Sequence, residues 1–217
     1  MRTLVIGASG GIGAALFAAA GPGAVGLSRS VDGLDVTDEA SVAEGLGRLE
    51  GGFDRVWVAT GALEIAGIGP EKTLRALDPA AMAAQFALNT IGPAIVLKHL
   101  WRLIPKDRPC KVAVLSARVG SIGDNALGGW YSYRAAKAGL NQIVHTAAIE
   151  LARSHPAAVL VALHPGTVDT ALTRGRTGGH APLQATEAAA RLVAVLDGIG
   201  PAGSGGFFDW RGEPVVW

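Results

Sequence analysis

The sequence predicts an α/β fold, a doubly wound parallel sheet of about six to seven strands with helices on both faces. Short aliphatic or β-branched runs alternate with longer Ala-rich segments of helical period, and a glycine-rich turn joins the first such run to the first helix. Size agrees: 217 residues with 49% hydrophobic content build one well-buried core and are short for two, so a single domain over 1–217 is expected.

The first strand is expected over Thr3–Ile6, which runs straight into Gly7. The first helix, Gly11–Ala20, is apolar and ended by Gly21-Pro22-Gly23. A second strand follows over Ala24–Leu27. Between Ser28 and Gly33-Leu34-Asp35-Val36 there are too few residues for the crossover helix that parallel strands usually need. That helix is therefore expected to be missing, and the third strand to be a short edge remnant. A helix over Asp38–Leu49 leads to a strand over Arg55–Ala59 and then a long helix over Pro79–Ile104. A strand over Lys111–Leu115, a helix over Trp130–Ser154, a strand over Ala158–Leu163, a helix over Thr186–Asp197 and a strand near Gly206–Asp209 complete the alternation. No repeat, low-complexity tail or linker interrupts it.

Composition excludes several classes. Charged residues are 17% of the chain and the formal net charge is +1, which suits neither a nucleic-acid groove nor a polybasic membrane surface, so a small partner is expected. The one cysteine, Cys110, cannot make an internal disulfide and is expected to be a buried, inert thiol in a reducing compartment. The apolar run after Met1 is too short for a signal peptide and Ile12–Ala20 is too short for a membrane span, so a soluble, cytoplasmic protein is expected. No metal site is expected.

Three stretches carry chemistry. Gly7-Ala8-Ser9-Gly10-Gly11-Ile12-Gly13 lies between the first strand and the first helix, where backbone N–H groups and the helix dipole can hold a pyrophosphate. The plain alternative is a turn, since the chain holds 31 glycines. At the end of the second strand, Ser28-Arg29-Ser30 offers no acidic residue for a ribose 2′-OH, whereas Arg29 can pair with a 2′-phosphate, so NADP is expected over NAD. A solvated loop arginine is the alternative. Tyr133 and Lys137 stand four apart on a helix, on one face, where an ammonium beside a phenol favours its ionisation. Tyr131 has Ala135 at the same spacing and reads as a pocket or packing residue. Asn89 precedes Pro93 by four residues, and proline has no N–H, so the Asn89 carbonyl loses its helical partner.

The G-x-x-x-G-x-G turn, Leu34-Asp35-Val36, Asn89, Tyr-x-x-x-Lys and His164-Pro165-Gly166-Thr167-Val168-Asp169-Thr170 come in the order and approximate spacing of a known family. The chain resembles the classical short-chain dehydrogenase/reductases over nearly its whole length, with a Rossmann-type sheet. It looks closest to the C-factor and Sniffer-like carbonyl reductase branch through Pro70-Glu71-Lys72, Ser116-Ala117-Arg118-Val119-Gly120-Ser121, Gly128-Gly129-Trp130-Tyr131-Ser132-Tyr133-Arg134 and Gly206-Phe207-Phe208-Asp209. The resemblance implies an oxidoreductase that interconverts a carbonyl and a secondary alcohol, with Tyr133 as general acid/base. Lys137 tunes Tyr133 and bonds the ribose, and the Asn89 carbonyl holds a water in a proton relay. The implied dinucleotide contacts are Gly7, Ser9, Gly11, Ile12, Gly13, Arg29, Asp35, Val36, Ala59, Gly61, Tyr133, Lys137, Pro165, Val168 and Thr170, with Asp35 and Val36 at the adenine. A homodimer or homotetramer is implied as well.

Two departures qualify it. Val58-Ala59-Thr60-Gly61 stands where the family commonly has Asn-Asn-Ala-Gly. The family's substrate-orienting serine lies three before the glycine, which here is Ala117; Ser116, one place off, is taken as the candidate, with Ser121 or no serine as alternatives. The segment 171–183, with Arg174, Arg176, Gly178, Gly179 and His180, is expected to be a substrate lid, with His180 a surface residue. The apolar ending Glu213–Trp217 either tucks against its own domain or crosses a subunit interface. The rival function is a dinucleotide-binding sensor or signalling protein of the same fold with little turnover.

Overall fold

A computed structural model describes residues 1–170 and 182–217. Among the described residues, six strands form one parallel sheet: β1 (Thr3–Ile6), β2 (Val25–Leu27), β3 (Arg55–Val58), β4 (Cys110–Leu115), β5 (Ala158–His164) and β6 (Phe207–Asp209), in the order β2-β1-β3-β4-β5-β6. Each lies within one residue of its expected bounds. The helices are α1 (Gly11–Ala20), α2 (Arg29–Asp32), α3 (Glu39–Gly47), α4 (Pro79–Phe86), α5 (Gly92–Leu100), α6 (Tyr131–Ser154) and α7 (Ala185–Gly198).

Both faces of the sheet are covered, which is why its strands read as continuous apolar runs. On one face Leu4, Ile6, Val56, Val58, Val112, Val114, Leu160 and Ala162 pack with Val42 and Leu46 of α3, Val96 and Leu100 of α5, and Leu140 and Val144 of α6. The alternate residues Val5, Trp57, Ala113, Val161 and Leu163 meet Leu16 of α1 and Leu192 and Leu196 of α7 on the other. Cys110 is buried on the first of these faces, with Val112 and Val114, and burial pushes its thiol up to about 12, as an inert thiol requires.

Two local expectations are corrected. Leu34-Asp35-Val36 is not an edge strand, and β2 is the edge. Leu34 and Val36 are buried, but the Leu34 N–H goes to the Ser28 carbonyl and the Asp35 N–H to Ser41 Oγ, so neither is offered to a ladder. Only the single turn α2 occupies the place of the missing crossover helix. The run from Pro79 to Leu103 is also not one regular helix: Ala87–Ile91 widens into a π turn in which the Gly92 N–H reaches the Ala87 carbonyl. Pro93 has no N–H for the Asn89 carbonyl, and the helix accommodates that gap by widening. This run is long and apolar enough to cross a membrane by composition alone, yet Val96, Leu97, Leu100 and Leu103 belong to the core.

Candidate active site

A stripe of polar side chains at four-residue spacing on α6 organises the site. Lys137 Nζ donates to the Leu115 carbonyl at 3.1 Å, Asn141 Oδ1 accepts from Ser116 Oγ at 2.6 Å, and His145 Nδ1 lies 2.9 Å from the Gly205 carbonyl. These contacts tie the helix to the chain following β4 and to the approach to β6. Tyr133 stands one turn before Lys137, 6% exposed, with Trp130 edge-on to it at 6.4 Å between ring centroids.

The start of α6 is fixed from far away in sequence. Trp130 precedes the helix in the left-handed region, φ 54°, and caps nothing with its side chain. The buried carboxylate of Glu71 takes that place: it accepts the Ser132 N–H at 3.2 Å and the Ser132 hydroxyl, while the Glu71 carbonyl accepts the Trp130 N–H at 2.6 Å. Burial opposes the charge on Glu71, but the hydrogen bonds from Ser132 and from the Glu71 backbone together hold the carboxyl below its usual range.

Asn89, fully buried in the π turn, grips the chain after β3. Its Nδ2 donates to the Ala62 carbonyl at 2.9 Å and to Gln85 Oε1 at 2.7 Å, and its Oδ1 accepts the Ala62 N–H at 3.1 Å. Gln85 continues the grip to the Leu63 carbonyl at 2.9 Å. A Cβ on Gly61 would stand 2.6 Å from Asn89 Oδ1 and 3.4 Å from Lys137 Nζ, and its φ of 133° also excludes side chains. Tyr133, Lys137, Asn89 and Gly61 are therefore brought together.

The glycine turn fits a dinucleotide. A Cβ on Gly13 would lie 2.0 Å from the Gly7 carbonyl oxygen, so only glycine lets α1 start this close to β1. The first turn of α1 has neither a side-chain cap nor an acidic residue, which leaves its N–H groups and dipole for an anion. Ala59 packs on Gly7, Thr170 packs on Gly11, and Ser9 accepts from Ser30 at 2.8 Å beside Arg29. Arg29 is exposed at the start of α2. The Thr37 hydroxyl and N–H hold Asp35 below its usual range, with Arg29 adding to the effect. The Val36 side chain faces inward, pressed against Gly92. Pro165 and Gly166 follow β5, with Gly166 lying against the Trp210 ring, and Val168 pairs with Leu183.

Two electrostatic expectations change. Lys137 does not draw the phenol down in this structure. Its Nζ is 5.9 Å from the Tyr133 ring centroid and bonded to a carbonyl. Burial pushes the Tyr133 phenol up and Lys137 down to about 8. Ser116 is also corrected as a substrate donor: its single proton goes to Asn141, and the Ser121 proton goes to the Val216 carbonyl. The geometry favours the third alternative, no serine donor at this place.

The lid expected over 171–183 lies outside the described residues except for Pro182 and Leu183, and Arg174, Arg176 and His180 fall within that stretch. The ending tucks: Trp217 stacks on Phe207 at 6.0 Å, meets His145 edge-on at 5.5 Å and accepts the Gly123 N–H at 2.7 Å. Sequence reasoning missed Gln85, Ser132, Asn141 and the role of Glu71. The i−4 and i+4 positions of Asn89 and Lys137 would have pointed to Gln85 and Asn141, whereas nothing local points from Glu71 to Ser132.

A family model described as enoyl-(acyl carrier protein) reductase matches residues 17–197. The chain belongs to the short-chain dehydrogenase/reductase family of oxidoreductases. Its relatives include the 1-hydroxy-2-glutathionyl-2-methyl-3-butene dehydrogenase of Rhodococcus sp. (strain AD45), 34% identical over 209 residues that cover 95% of this chain and 88% of that protein. C-signal of Myxococcus xanthus is 36% identical over 141 residues, 65% of this chain and 81% of that protein. Among solved structures, the carbonyl reductase Sniffer of D. melanogaster shares the fold at a TM-score of 0.84 and 20% identity, covering 100% of this chain and 99% of that one. A short-chain dehydrogenase/reductase from Burkholderia multivorans with bound NADP superposes at a TM-score of 0.80 and 25% identity, with the same coverage.

Proposed function

We propose that the protein is an NADP(H)-dependent reductase that interconverts a small carbonyl and its secondary alcohol. The observation that carries this reading is the meeting of Asn89 and Lys137 at Gly61, just beyond β3, with the Tyr133 ring centroid 5.9 Å from Lys137 Nζ. NADP is favoured over NAD by Arg29 at the end of β2 and by the NADP-bound relative from Burkholderia multivorans. Gly7, Ser9, Gly11, Ile12 and Gly13 would hold the pyrophosphate, Arg29 the 2′-phosphate, Asp35 and Val36 the adenine end, Ala59 and Gly61 the adenosine half. Pro165, Val168 and Thr170 would hold the nicotinamide end. When bound, the dinucleotide would supply or accept the hydride. Tyr133 Oη gives its proton to the carbonyl oxygen in reduction and takes it back in oxidation. Lys137, with its pKa brought to about 8, bonds the ribose and offers a positive charge when Tyr133 becomes phenolate. Asn89, pinned through its side chain to Ala62 and Gln85, keeps its backbone carbonyl aimed for the proton relay.

The second reading, a dinucleotide-binding sensor with little turnover, is favoured by Ala117 and by the commitment of Ser116 and Ser121 elsewhere. NADPH and NADH consumption against aldehydes, ketones and diones, in wild type beside Tyr133→Phe, separates the two. The reductase reading expects turnover with NADPH that falls by about two to four orders of magnitude in the variant while cofactor binding persists. Cofactor binding without turnover in either protein would move the sensor reading ahead.

A further inference from the structure

Trp210 follows the last strand and has no part in the mechanism above. Asp209, buried at the end of β6, accepts the Arg211 N–H at 2.8 Å and the Glu213 N–H at 3.2 Å through Oδ1, which closes the turn that carries Trp210. Two guanidinium groups hold its indole: Arg191 of α7 lies 4.5 Å and Arg211 4.6 Å from the ring. Arg191 is itself tied to Glu187, one turn earlier on α7, at 2.6 Å. A partly exposed tryptophan on a turn is thereby fixed in place.

The ring supports the chain that leaves β5. Gly166, at φ 79°, lies so close that a Cβ there would stand 2.8 Å from Cδ1 and 3.0 Å from Nε1 of Trp210. From that support the chain runs to Val168, which is buried and paired with Leu183. The Asp169 N–H donates to the Leu183 carbonyl at 2.8 Å, and the Leu183 N–H donates to the Thr167 carbonyl at 2.9 Å. At the far end Thr170 meets the glycine turn, where a Cβ on Gly11 would lie 2.6 Å from Thr170 Cγ2. Residues 166–170 thus bridge the indole and the turn that fits a pyrophosphate. Leu183 leads into α7, the helix that supplies Arg191, so bridge and indole share one support.

We propose that Trp210 is a positioning residue for the nicotinamide half of the cofactor: its indole carries Gly166 and so sets the height of residues 165–170 against the glycine turn. This rests on the NADP(H) reading of the site given above. The indole acts through Gly166 and not by touching the dinucleotide. Removing it leaves a gap under the loop, and the groups that Pro165, Val168 and Thr170 present lose their fixed places. The adenine end is insulated from this change. Arg29 follows β2, at the edge of the sheet opposite to β6, so the recognition of a 2′-phosphate there does not depend on Trp210.

The test is calorimetric titration of NADPH and of adenosine 2′,5′-bisphosphate into wild type and Trp210→Ala. The bisphosphate carries the adenine and the 2′-phosphate but no nicotinamide half. The proposal expects Trp210→Ala to bind NADPH at least about fivefold more weakly than wild type and the bisphosphate within about twofold of it. A smaller loss for NADPH overturns the proposal. So does an equal weakening of both ligands, which a general loosening of the fold would produce. Should Trp210→Ala not fold, Trp210→Phe decides, because its smaller ring leaves part of the gap under Gly166. A loss of about threefold or more for NADPH alone then upholds the assignment, and a smaller or unselective loss overturns it. Wild type that binds the bisphosphate as tightly as NADPH overturns the assignment while leaving the adenine end intact. Wild type that binds neither sinks the dinucleotide reading and the assignment with it.

Discussion

Lys137 and His164 are basic side chains whose charged form burial disfavours. In the unfolded chain they titrate at their ordinary values, 10.5 and 6.5, and in the folded protein at about 8 and about 4. Between each pair of values the unfolded state binds more protons, so stability rises with pH through both windows. Acidification from pH 6.5 toward pH 4 should therefore cost up to about 3 kcal/mol through His164, with His155, also lowered by burial, acting in the same direction. Asp209 and Asp124 oppose the His164 shift and Arg118 supports it. Urea unfolding across this range checks the prediction, and His164→Gln should lose most of the slope; an unchanged slope would show that His164 is not its source. These shifts were not legible in the sequence, because desolvation depends on tertiary packing. Tyr133, Lys137 and Asn89 were legible as a constellation, since helical spacing and a proline are local facts. The direction of the Tyr133 shift was not: the spacing argument weighed the ammonium and could not weigh the burial.

At the scale of the elements, α6 depends on a cap that no neighbouring residue provides. Glu71→Ala removes the acceptor of the Ser132 N–H and hydroxyl, and it should destabilise the protein by about 1–3 kcal/mol. Asp38→Ala, which removes a solvent-exposed cap on α3, should cost about 1 kcal/mol. Thermal unfolding of the two variants checks the ranking, and a larger loss at Asp38 would contradict it. The elements themselves were legible wherever one period ruled: six strands, α1 and α7 are where alternation and alanine-rich runs place them. Leu34-Asp35-Val36 misled because two buried aliphatics flanking a polar residue look like a strand. Only the hydrogen-bond partners of its N–H groups, Ser28 and Ser41, distinguish it from one. Glu71 escaped for a related reason, as it lies 61 residues before Ser132 and matches no period.

Across the whole molecule, the last residues close the structure behind the site. Ser121 donates to the Val216 carbonyl and the Gly123 N–H reaches the Trp217 carbonyl, so the tail holds the segment that follows Ala117. Deleting Val216 and Trp217 should lower stability by about 1–3 kcal/mol and raise the KM for the carbonyl more than that for NADPH. Calorimetry and initial rates check it; equal rises in both KM values would point to a global loosening instead. The stripe on α6 reaches the same tail through His145 and has a further consequence. Because Lys137, Asn141 and His145 each anchor one turn of a single rigid rod, positional noise at the Tyr133 hydroxyl is governed by three fixings downstream rather than by its own contacts. Errors at any one fixing are averaged by the others, so the reactive oxygen inherits the steadiness of the sheet, and tolerance to sequence change lies in the loops rather than along the rod.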